Sequence, residues 1–327
     1  MKCSICGQPA ILNLRHHMLR LCAPHFMEWF PEQVARSIKR YRMFGPQDRI
    51  LVAVSGGKDS LALWDALLRL GYQADGMYIN LGIKERSCHS QTSDGLSQPG
   101  DYSGKSLERV RAFAAQRPGA RYQVVDVAAE YGLNVPDLAR RNHRSAKMCS
   151  LCGLVKRHIM NRAAYQGGYA AIATGHNLDD EVATLLQNAL HWETGYLARQ
   201  APVLPSTHPR LVRKVKPLAR MYERDSAAYA LVQGIDYIYD ECPYAEGAKS
   251  IFFKKLFNQI ENLSTGTKSQ FYLQFLKARQ QGRIAFPQLE AGEEDDAPRS
   301  LLRDCDKCGQ PTSSADLCAF CRLWEET

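Results

Sequence analysis

Alternating strand and helix patterns run along the chain from Arg49 onward. A β-branched apolar run over residues 50–54 predicts a buried parallel strand, and helical spacing follows over residues 61–70, with Gly71 in the usual C-terminal position. The same succession repeats downstream. We therefore predict an α/β fold built on a doubly wound parallel sheet.

Short cysteine-rich segments lie outside this pattern at both ends of the chain. We predict four parts: a knuckle at residues 1–27, a basic linker helix at 28–48, a catalytic domain at 49–290, and an acidic linker with a second knuckle at 291–327. Further strands are predicted over residues 74–79, 122–127, 169–174, 212–217 (at a sheet edge) and 236–239, and helices over residues 28–44, 105–116, 222–233, 248–263 and 269–279. Residues 87–104, rich in serine, glutamine, glycine and aspartate, predict a flexible insertion.

The composition limits the class of protein. The 327 residues are 45% hydrophobic, enough for a large core, and no apolar run approaches the length of a membrane helix. The N-terminus, Met1-Lys2-Cys3, lacks the apolar stretch of a signal peptide, so a cytoplasmic location is expected. A formal net charge of +8 favours an anionic partner, although solubility also explains such a charge.

Eleven cysteines in a cytoplasmic chain indicate metal or redox chemistry rather than disulfides. Ten of them fall into three groups, and Cys88 is interpreted as an incidental thiol. Two of the groups have the paired short spacings of a tetrahedral zinc site. The predicted zinc ligands are Cys3, Cys6, Cys22 and His25 at the N-terminus, and Cys305, Cys308, Cys318 and Cys321 at the C-terminus.

A glycine-rich turn, Ser55-Gly56-Gly57-Lys58-Asp59-Ser60, joins the first strand to its helix. It directs free N–H groups and the positive end of a helix dipole at one point. The two hydroxyls and the lysine add donors and a positive charge, and Asp59 or Ser60 would serve as the helix N-cap. An ordinary turn would not need six fitting positions, so a phosphate site is favoured. The mononucleotide-binding pattern GxxxxGK(S/T) does not occur in the chain.

A second strand-to-helix junction carries Gly175-His176-Asn177-Leu178-Asp179-Asp180-Glu181. In a doubly wound sheet it should end beside the phosphate turn, where ligands bind. Its three carboxylates could hold Mg²⁺ on a departing pyrophosphate or take part in proton transfer. An alternative explanation is that acids are favoured in the first turn of a helix by the helix dipole. This would explain one carboxylate, but it explains three consecutive carboxylates less well.

Three cysteines remain once the zinc sites are complete: Cys149, Cys152 and Cys242. The C-x2-C pair could form a thiol–disulfide couple, but Cys242 would then be unused. Three thiolates could instead hold a cubane iron–sulfur cluster, whose fourth iron could bind and activate hydrosulfide. A catalytic persulfide on one cysteine, resolved by another, is the competing account. The thiol count favours the cluster only slightly.

Basic residues cluster at two places, and an anionic substrate would use such clusters. Arg36, Lys39, Arg40 and Arg42 lie on the linker helix, and Arg140, Arg141, Arg144 and Lys147 precede the C-x2-C pair. A solvated helix face explains the first cluster equally well. The position of the second cluster makes it a candidate substrate contact.

These motifs, taken in order, resemble a known family. The glycine-rich turn matches SGGxDS, the PP-loop of the N-type ATP pyrophosphatases, which cleave ATP between its α- and β-phosphates. This turn, the Cys149/Cys152 pair, the junction at residues 175–181 and Cys242-Pro243 occur in the same order as in the tRNA 2-thiolation enzymes. With a knuckle at each end, the chain most resembles the TtuA type, which acts on 5-methyluridine of the T-loop. The resemblance covers nearly the whole chain, and residues 87–104 are the departure from it.

This resemblance implies a 4Fe-4S cluster on Cys149, Cys152 and Cys242, two Zn²⁺ ions, and Mg²⁺ with ATP. The implied catalytic residues are Lys156, Asp180 and Lys58, and the implied ATP-binding residues are Ala53, Ser55, Gly56, Gly57, Lys58, Asp59, Ser60, Gly175 and Asp180. The implied reaction adenylates the C2 oxygen of a tRNA uridine, and sulfur then displaces AMP. The implied partners are tRNA, ATP, a ubiquitin-like thiocarboxylate carrier or a sulfide donor, and a second copy of the chain in a homodimer.

Other functions remain open from the sequence. Thiolation of a wobble uridine or of a cytidine would use the same chemistry at another tRNA site. A lysidine-synthase-like ligase would share the PP-loop but need no cluster. A zinc or iron–sulfur RNA-binding regulator, which is not an enzyme, would consume no ATP.

Overall fold

The computed structural model describes residues 1–84, 101–143, 148–245, 249–286 and 302–325. Its strands are β1 (Leu12–Leu14), β2 (Leu19–Leu21), β3 (Arg49–Ala53), β4 (Gln73–Asn80), β5 (Tyr122–Asp126), β6 (Ala171–Thr174), β7 (Val203–Leu204), β8 (Lys214–Val215), β9 (Arg303–Asp304) and β10 (Pro311–Thr312). Its α-helices are α1 (Ala23–Tyr41), α2 (Lys58–Arg69), α3 (Tyr102–Ala115), α4 (Val127–Tyr131), α5 (Val135–Arg141), α6 (Met148–Gln166), α7 (Leu178–Leu190), α8 (Thr194–Arg199), α9 (Glu223–Val232), α10 (Lys249–Leu263), α11 (Thr267–Gln280) and α12 (Ala319–Glu325).

Six strands form one sheet in the order β5-β4-β3-β6-β8-β7. All neighbours pair in parallel except β7, which runs antiparallel to β8 at one edge. Side chains of β3 alternate between two cores: Ile50 and Val52 join the core formed with α1, α2 and α9, and Leu51 joins the core formed with α6. Helices therefore cover both faces of the sheet, and the predicted doubly wound fold is confirmed.

The strand order reverses between β3 and β6. The chain leaves β3 toward one side of the sheet and leaves β6 toward the other, so a crevice opens at their carboxyl ends. The PP-loop follows β3, and the Gly175 junction follows β6. The topology therefore brings the two sequence motifs together.

Several predicted elements differ from the structure. Residues 236–239 form no strand. Among the described residues, they make one backbone hydrogen bond toward the sheet, from Ile238 N–H to the carbonyl oxygen of Gly56 (2.9 Å). Residues 212–217 contain β8, which lies inside the sheet because β7 covers it. The N-cap of α2 is Gly57 rather than Asp59 or Ser60. The helix predicted from residue 28 begins earlier, at Ala23, so it includes His25.

Both end segments pack onto the sheet domain. The β1–β2 hairpin contributes Leu14 and Leu21 to the core around α1 and α2, and the C-terminal knuckle contributes Phe320 to the core around α6. Among the described helices, none combines the length and the apolar character needed to cross a membrane. Cys88, Arg144, Lys147, the acidic linker and most of the insertion predicted at residues 87–104 lie outside the described residues.

Candidate functional site

The backbone path of the PP-loop depends on Gly56. Gly56 has φ +78°, and a Cβ there would lie 2.5 Å from the carbonyl oxygen of Ser106, so the loop passes too close to α3 for any side chain. The Ser60 hydroxyl accepts a hydrogen bond from Ser55 N–H (3.1 Å) and donates one to the Gly57 carbonyl (3.0 Å). These bonds fix the loop around the start of α2, where the N–H groups of a helix can bind an anion.

The second junction lies directly against this loop. A Cβ on Gly175 would come 2.9 Å from Ser60 N, so only glycine permits this approach. The Asn177 amide donates a hydrogen bond to Asp59 (3.1 Å) while its carbonyl oxygen caps α7 through Asp180 N–H (3.1 Å). The predicted ATP-binding residues after β3 and β6 thus occupy one site.

A chain of ion pairs crosses the mouth of this site. Lys58 Nζ lies 3.1 Å from Asp59 and 2.7 Å from Glu223. Lys254 Nζ lies 3.2 Å from Glu223 and 2.6 Å from Asp180. All five side chains are between one-fifth and one-third exposed. The two lysines could therefore bind an entering anion, and the three carboxylates could bind its cation, in place of the present ion pairs.

The pKa values of these groups favour their charged forms, with one exception. Burial lowers the pKa of Lys58, but the carboxylates of Asp59 and Glu223 raise it more, so it lies above its usual value. Burial raises the pKa of Glu223, but Lys254 and Lys58 lower it further, so it lies below its usual value. Burial raises the pKa of Asp59 despite Lys58 nearby. Lys58 and Glu223 are therefore held in their charged forms, which suits the cluster to binding an anion together with a cation.

The three acids after Leu178 serve two purposes. Asp179 is buried, pairs with Lys268 (2.5 Å) and accepts a hydrogen bond from Glu223 N–H (2.9 Å). Glu181 is buried and accepts hydrogen bonds from Lys216 (2.7 Å) and Tyr272 (2.8 Å). These two carboxylates fix the packing of α7, so the sequence-based prediction that all three act on a ligand is too broad. Asp180 alone of the three faces the site.

A cavity of about 150 Å³ continues from the PP-loop toward the unassigned cysteines. Ala53 and Ser55 line one part of it, and Cys152, Lys156 and Cys242 line another. Burial raises the pKa of the Cys152 thiol, and the ammonium of Lys156 partly offsets this effect. Residues separated by almost 200 positions therefore share one compartment with the phosphate loop.

Cys149 joins the same region. Its thiol lies 3.3 Å from the carbonyl oxygen of Tyr244, two residues beyond Cys242, so the start of α6 contacts the Cys242 segment. The thiols of Cys149, Cys152 and Cys242 do not all lie within 4.8 Å of one another, unlike the ligands of the two terminal groups. These three thiols therefore do not form a compact single-ion site of the kind found at the two ends of the chain.

The terminal groups fit one tetrahedral ion each. All four ligand atoms of each group lie within 4.8 Å of one another. The thiols of Cys6 and Cys22 are 3.8 Å apart, and those of Cys308 and Cys318 are 3.7 Å apart. A zinc ion with Zn–S bonds of about 2.3 Å separates its thiolates by about 3.8 Å. The eight predicted ligands are therefore brought together in two complete sets.

Glu223 and Lys254 were missed from the sequence. Glu223 opens α9 and Lys254 lies within α10, in stretches with no motif. Glu223 reaches Lys58 across 165 positions. Acids are common in the first turn of a helix, so no local signal distinguishes this one.

The Glu223→Gln variant is expected to lower kcat about tenfold with an unchanged or lower KM for ATP. The amide cannot hold two lysines, so Lys58 loses its position, yet the site gains positive charge and still attracts ATP. Steady-state kinetics of AMP formation measures this split. Glu108→Gln, on the exposed face of α3, is the matched control. An increase in KM at constant kcat would contradict a positioning role.

The Cys22→Ser variant is expected to lose the N-terminal metal and to unfold the knuckle locally. Cys22 is buried, lies 3.1 Å from His25 Nδ1 and starts α1, and structural zinc contributes about 10 kcal/mol or more to small zinc modules. Metal analysis should show one zinc per chain instead of two. Hydrogen exchange should increase in the β1–β2 hairpin and not in the C-terminal knuckle.

Comparisons with known proteins place these features in context. The family model "2-thiouridine synthetase TtuA, N-terminal LIM domain" matches residues 2–27. A tRNA-5-methyluridine(54) 2-sulfurtransferase of Thermus thermophilus is 46% identical, over 99% of this chain and 91% of the relative. Proteins of the same name from Thermotoga maritima and Pyrococcus horikoshii are 40% and 39% identical, over 99% of this chain and 96% and 94% of theirs.

A solved structure has the same architecture. It is described as the U34-tRNA thiolase NcsA from Methanococcus maripaludis with its 4Fe-4S cluster, and it matches with a TM-score of 0.74 at 22% identity. The match covers 99% of this chain and 95% of that chain. It supports the fold described above from end to end.

Proposed function

Because the chain belongs to the TtuA-type tRNA 2-sulfurtransferases and is an enzyme of tRNA 2-thiolation, we propose that it adenylates and then thiolates the 5-methyluridine of the T-loop. The observation that carries the proposal is one cavity lined by Ser55, the first residue of the PP-loop, by Lys156 and by two of the three unassigned cysteines. The proposed reaction activates a tRNA base with ATP and then delivers sulfur to that same base, so the phosphate-binding residues and the cysteines must both be within reach of it.

The first step would form an O-adenylated base. The C2 oxygen of the uridine attacks the α-phosphorus of ATP, the bond from that phosphorus to the bridging oxygen breaks, and pyrophosphate leaves. The N–H groups of the PP-loop and the ammonium of Lys58 would hold the departing pyrophosphate. Lys156 would neutralise charge on the transferred phosphoryl group. Asp180, which now pairs with Lys254, would bind Mg²⁺ or accept the proton lost from the base.

The second step would replace oxygen by sulfur. Hydrosulfide attacks C2, the C2–O bond breaks, and AMP leaves with both bonding electrons. Cys149, Cys152 and Cys242 would hold a 4Fe-4S cluster, which supplies a Lewis-acidic iron without a protein ligand. The solved relative named above carries such a cluster, which supports this assignment. The apolar wall of the cavity, including Met77 and Leu81, would exclude water that competes with sulfide.

The metal and partner assignments complete the proposal. The two terminal sets of ligands would each hold a structural Zn²⁺. The sulfur would come from a ubiquitin-like thiocarboxylate carrier or from free sulfide, and the enzyme would act as a homodimer. The target base must leave its stack to reach the cavity, at a cost of a few kcal/mol.

The test is a reconstituted reaction under anaerobic conditions. Protein with its metals, ATP, sulfide and tRNA containing 5-methyluridine should yield AMP, pyrophosphate and a 2-thiolated nucleoside that maps to the T-loop. Thiolation mapped to the anticodon would favour a wobble-uridine enzyme. A colourless, fully active protein would favour a PP-loop ligase, and no ATP consumption with tRNA would favour an RNA-binding regulator.

A further inference from the structure

A second cavity, of about 260 Å³, lies between the N-terminal knuckle, α1 and the start of α11. Its polar lining comprises two histidines of the knuckle region, Gln33, Arg36 and Ser37 of α1, the loop residue Arg220, and Ser269 of α11. No carboxylate belongs to this lining. The cavity is therefore basic, in contrast to the ATP site, where lysines and acids alternate.

Arg220 is the central charge of this cavity. Its side chain is half-buried, and among the described residues it has no acidic partner within ion-pair distance. Arg36 has only an exposed partner, Glu32, at 3.6 Å, and exposed pairs of this kind hold a side chain weakly. A half-buried guanidinium without a counter-ion is unfavourable unless an anion occupies the site.

A buried hydroxyl points to the same ligand. Ser37 is 2% exposed, and its Oγ has no hydrogen-bond partner among the described groups. Buried hydroxyls almost always have a partner, and a ligand oxygen in the cavity would supply one. Ser269 lies in the first turn of α11, a helix of 14 residues, so the positive end of its dipole adds to the charge of the arginines.

Charges of both signs lie behind the cavity wall: Asp225 is 3.2 Å from His16 Nε2, and Arg224 is 3.3 Å from His16 Nδ1. Burial lowers the pKa of His17 to about 4, with contributions in the same direction from His16, Arg220 and Arg224, against the opposing charge of Asp225. His17 is therefore neutral at physiological pH and can accept or donate a hydrogen bond. The arginines supply the positive charge.

We propose that this cavity binds a phosphate group of the tRNA backbone, with Arg220 as its main ligand and Ser37 and Arg36 as supporting donors. The proposal rests on the tRNA-modifying function above, because tRNA is the polyanion that this enzyme handles. Arg220 lies three residues before Glu223, so the phosphate site adjoins the element that holds Lys58 and Lys254. The knuckle would thus fix tRNA at a defined distance from the ATP site.

The test compares Arg220→Gln with wild type in the full-length protein with its zinc. We expect tRNA binding to weaken about tenfold near 0.1 M salt, as for the loss of one charged hydrogen bond. The slope of log Kd against log salt concentration should fall by about one, because one phosphate contact is lost. Arg111→Gln, an exposed arginine of α3, is the matched control and should alter neither quantity.

A second arm uses inorganic phosphate to identify the source of the ligand. Thermal stabilisation by phosphate, measured at constant ionic strength, should occur in wild type and not in Arg220→Gln. If this stabilisation is lost but tRNA binding and its salt slope are unchanged, the site takes a free phosphate and the tRNA assignment is overturned. If Arg220→Gln and wild type behave alike in both the tRNA arm and the phosphate arm, no anion site exists here.

Folding and function have separate controls. Zinc content and melting temperature verify the fold of Arg220→Gln. If that variant proves unstable, Ser37→Ala, which removes only a hydroxyl, replaces it in the test and should also weaken tRNA binding. Wild-type protein that forms no AMP with tRNA would contradict the proposed function. Wild-type activity with unchanged binding by both variants would contradict only the phosphate site.

Discussion

The Cys242→Ser variant is expected to form no detectable 2-thiouridine while it retains both zinc ions. Cys242 shares the cavity of about 150 Å³ with Cys152 and Lys156, and neither zinc group includes it. A serine hydroxyl is not ionised at neutral pH and is a poor ligand for iron, so the iron content should fall with the activity. The loss should be on the order of a thousandfold or more, because the residue acts as part of a unit. Nucleoside mass spectrometry, metal analysis and the visible absorption spectrum measure these quantities.

The matched control is Cys88→Ser, the same substitution at the cysteine that belongs to none of the three groups. It should leave thiolation and metal content unchanged. Full thiolation by Cys242→Ser would place the sulfur chemistry elsewhere. Thiolation that persists after the iron is lost would favour a persulfide on Cys149 or Cys152 instead.

The sequence predicted the parts of the site whose chemistry is local. The PP-loop is contiguous in sequence, and so is the second junction. One glycine of each is required by a close backbone contact in the structure: Gly56 lies against Ser106, and Gly175 against Ser60. The predicted zinc ligands come in pairs three positions apart, so their spacing alone indicates chelation. The parallel sheet follows from the repeated apolar runs, since strands buried on both faces carry few polar residues.

The sequence did not predict the partners that meet only in three dimensions. Glu223 and Lys254 lie in ordinary helical stretches, and their ion pairs connect four helices, α2, α7, α9 and α10, at the mouth of the site. The sequence does not show that Asp179 and Glu181 have a different role from Asp180. In the structure both are buried in ion pairs, Asp179 with Lys268 and Glu181 with Lys216. Which acid of a run faces a ligand depends on the helix rotation, and distant packing sets that rotation.

The false strand at residues 236–239 has a similar origin. Its apolar and aromatic residues satisfy a strand pattern, but Tyr237 packs into the core beside α9, and the segment closes over the PP-loop through Ile238. The rings of Tyr237 and Tyr239 also contact each other in a tilted arrangement, with their centroids 4.3 Å apart. Burial without ladder pairing produces the same periodic signal as a strand, so the sequence pattern cannot separate the two.

The Lys58→Met variant is expected to lower the rate of AMP formation by about 10²- to 10³-fold, with iron and zinc content unchanged. Lys58 is the first residue of α2, so its ammonium lies at the PP-loop, and the neighbouring Asp59 and Glu223 keep its pKa above the usual value. It therefore presents a full positive charge where the departing pyrophosphate would gain negative charge in the proposed first step. Methionine keeps the length and the apolar stem of the side chain but removes that charge. Glu223 would keep its second partner, Lys254, and Asp59 would keep its hydrogen bond from the Asn177 amide (3.1 Å).

Single-turnover measurement of AMP and pyrophosphate with saturating tRNA separates this effect from binding. Lys277→Met, which removes an exposed lysine from α11, is the matched control and should keep the wild-type rate. The melting temperature of Lys58→Met should stay close to that of wild type, because the ion pairs it loses are partly exposed and weak. A wild-type rate of AMP formation in Lys58→Met would show that the PP-loop does not act on the phosphates of ATP. If the iron content fell together with the rate of AMP formation, Lys58 would instead support the cysteine site rather than the phosphates of ATP.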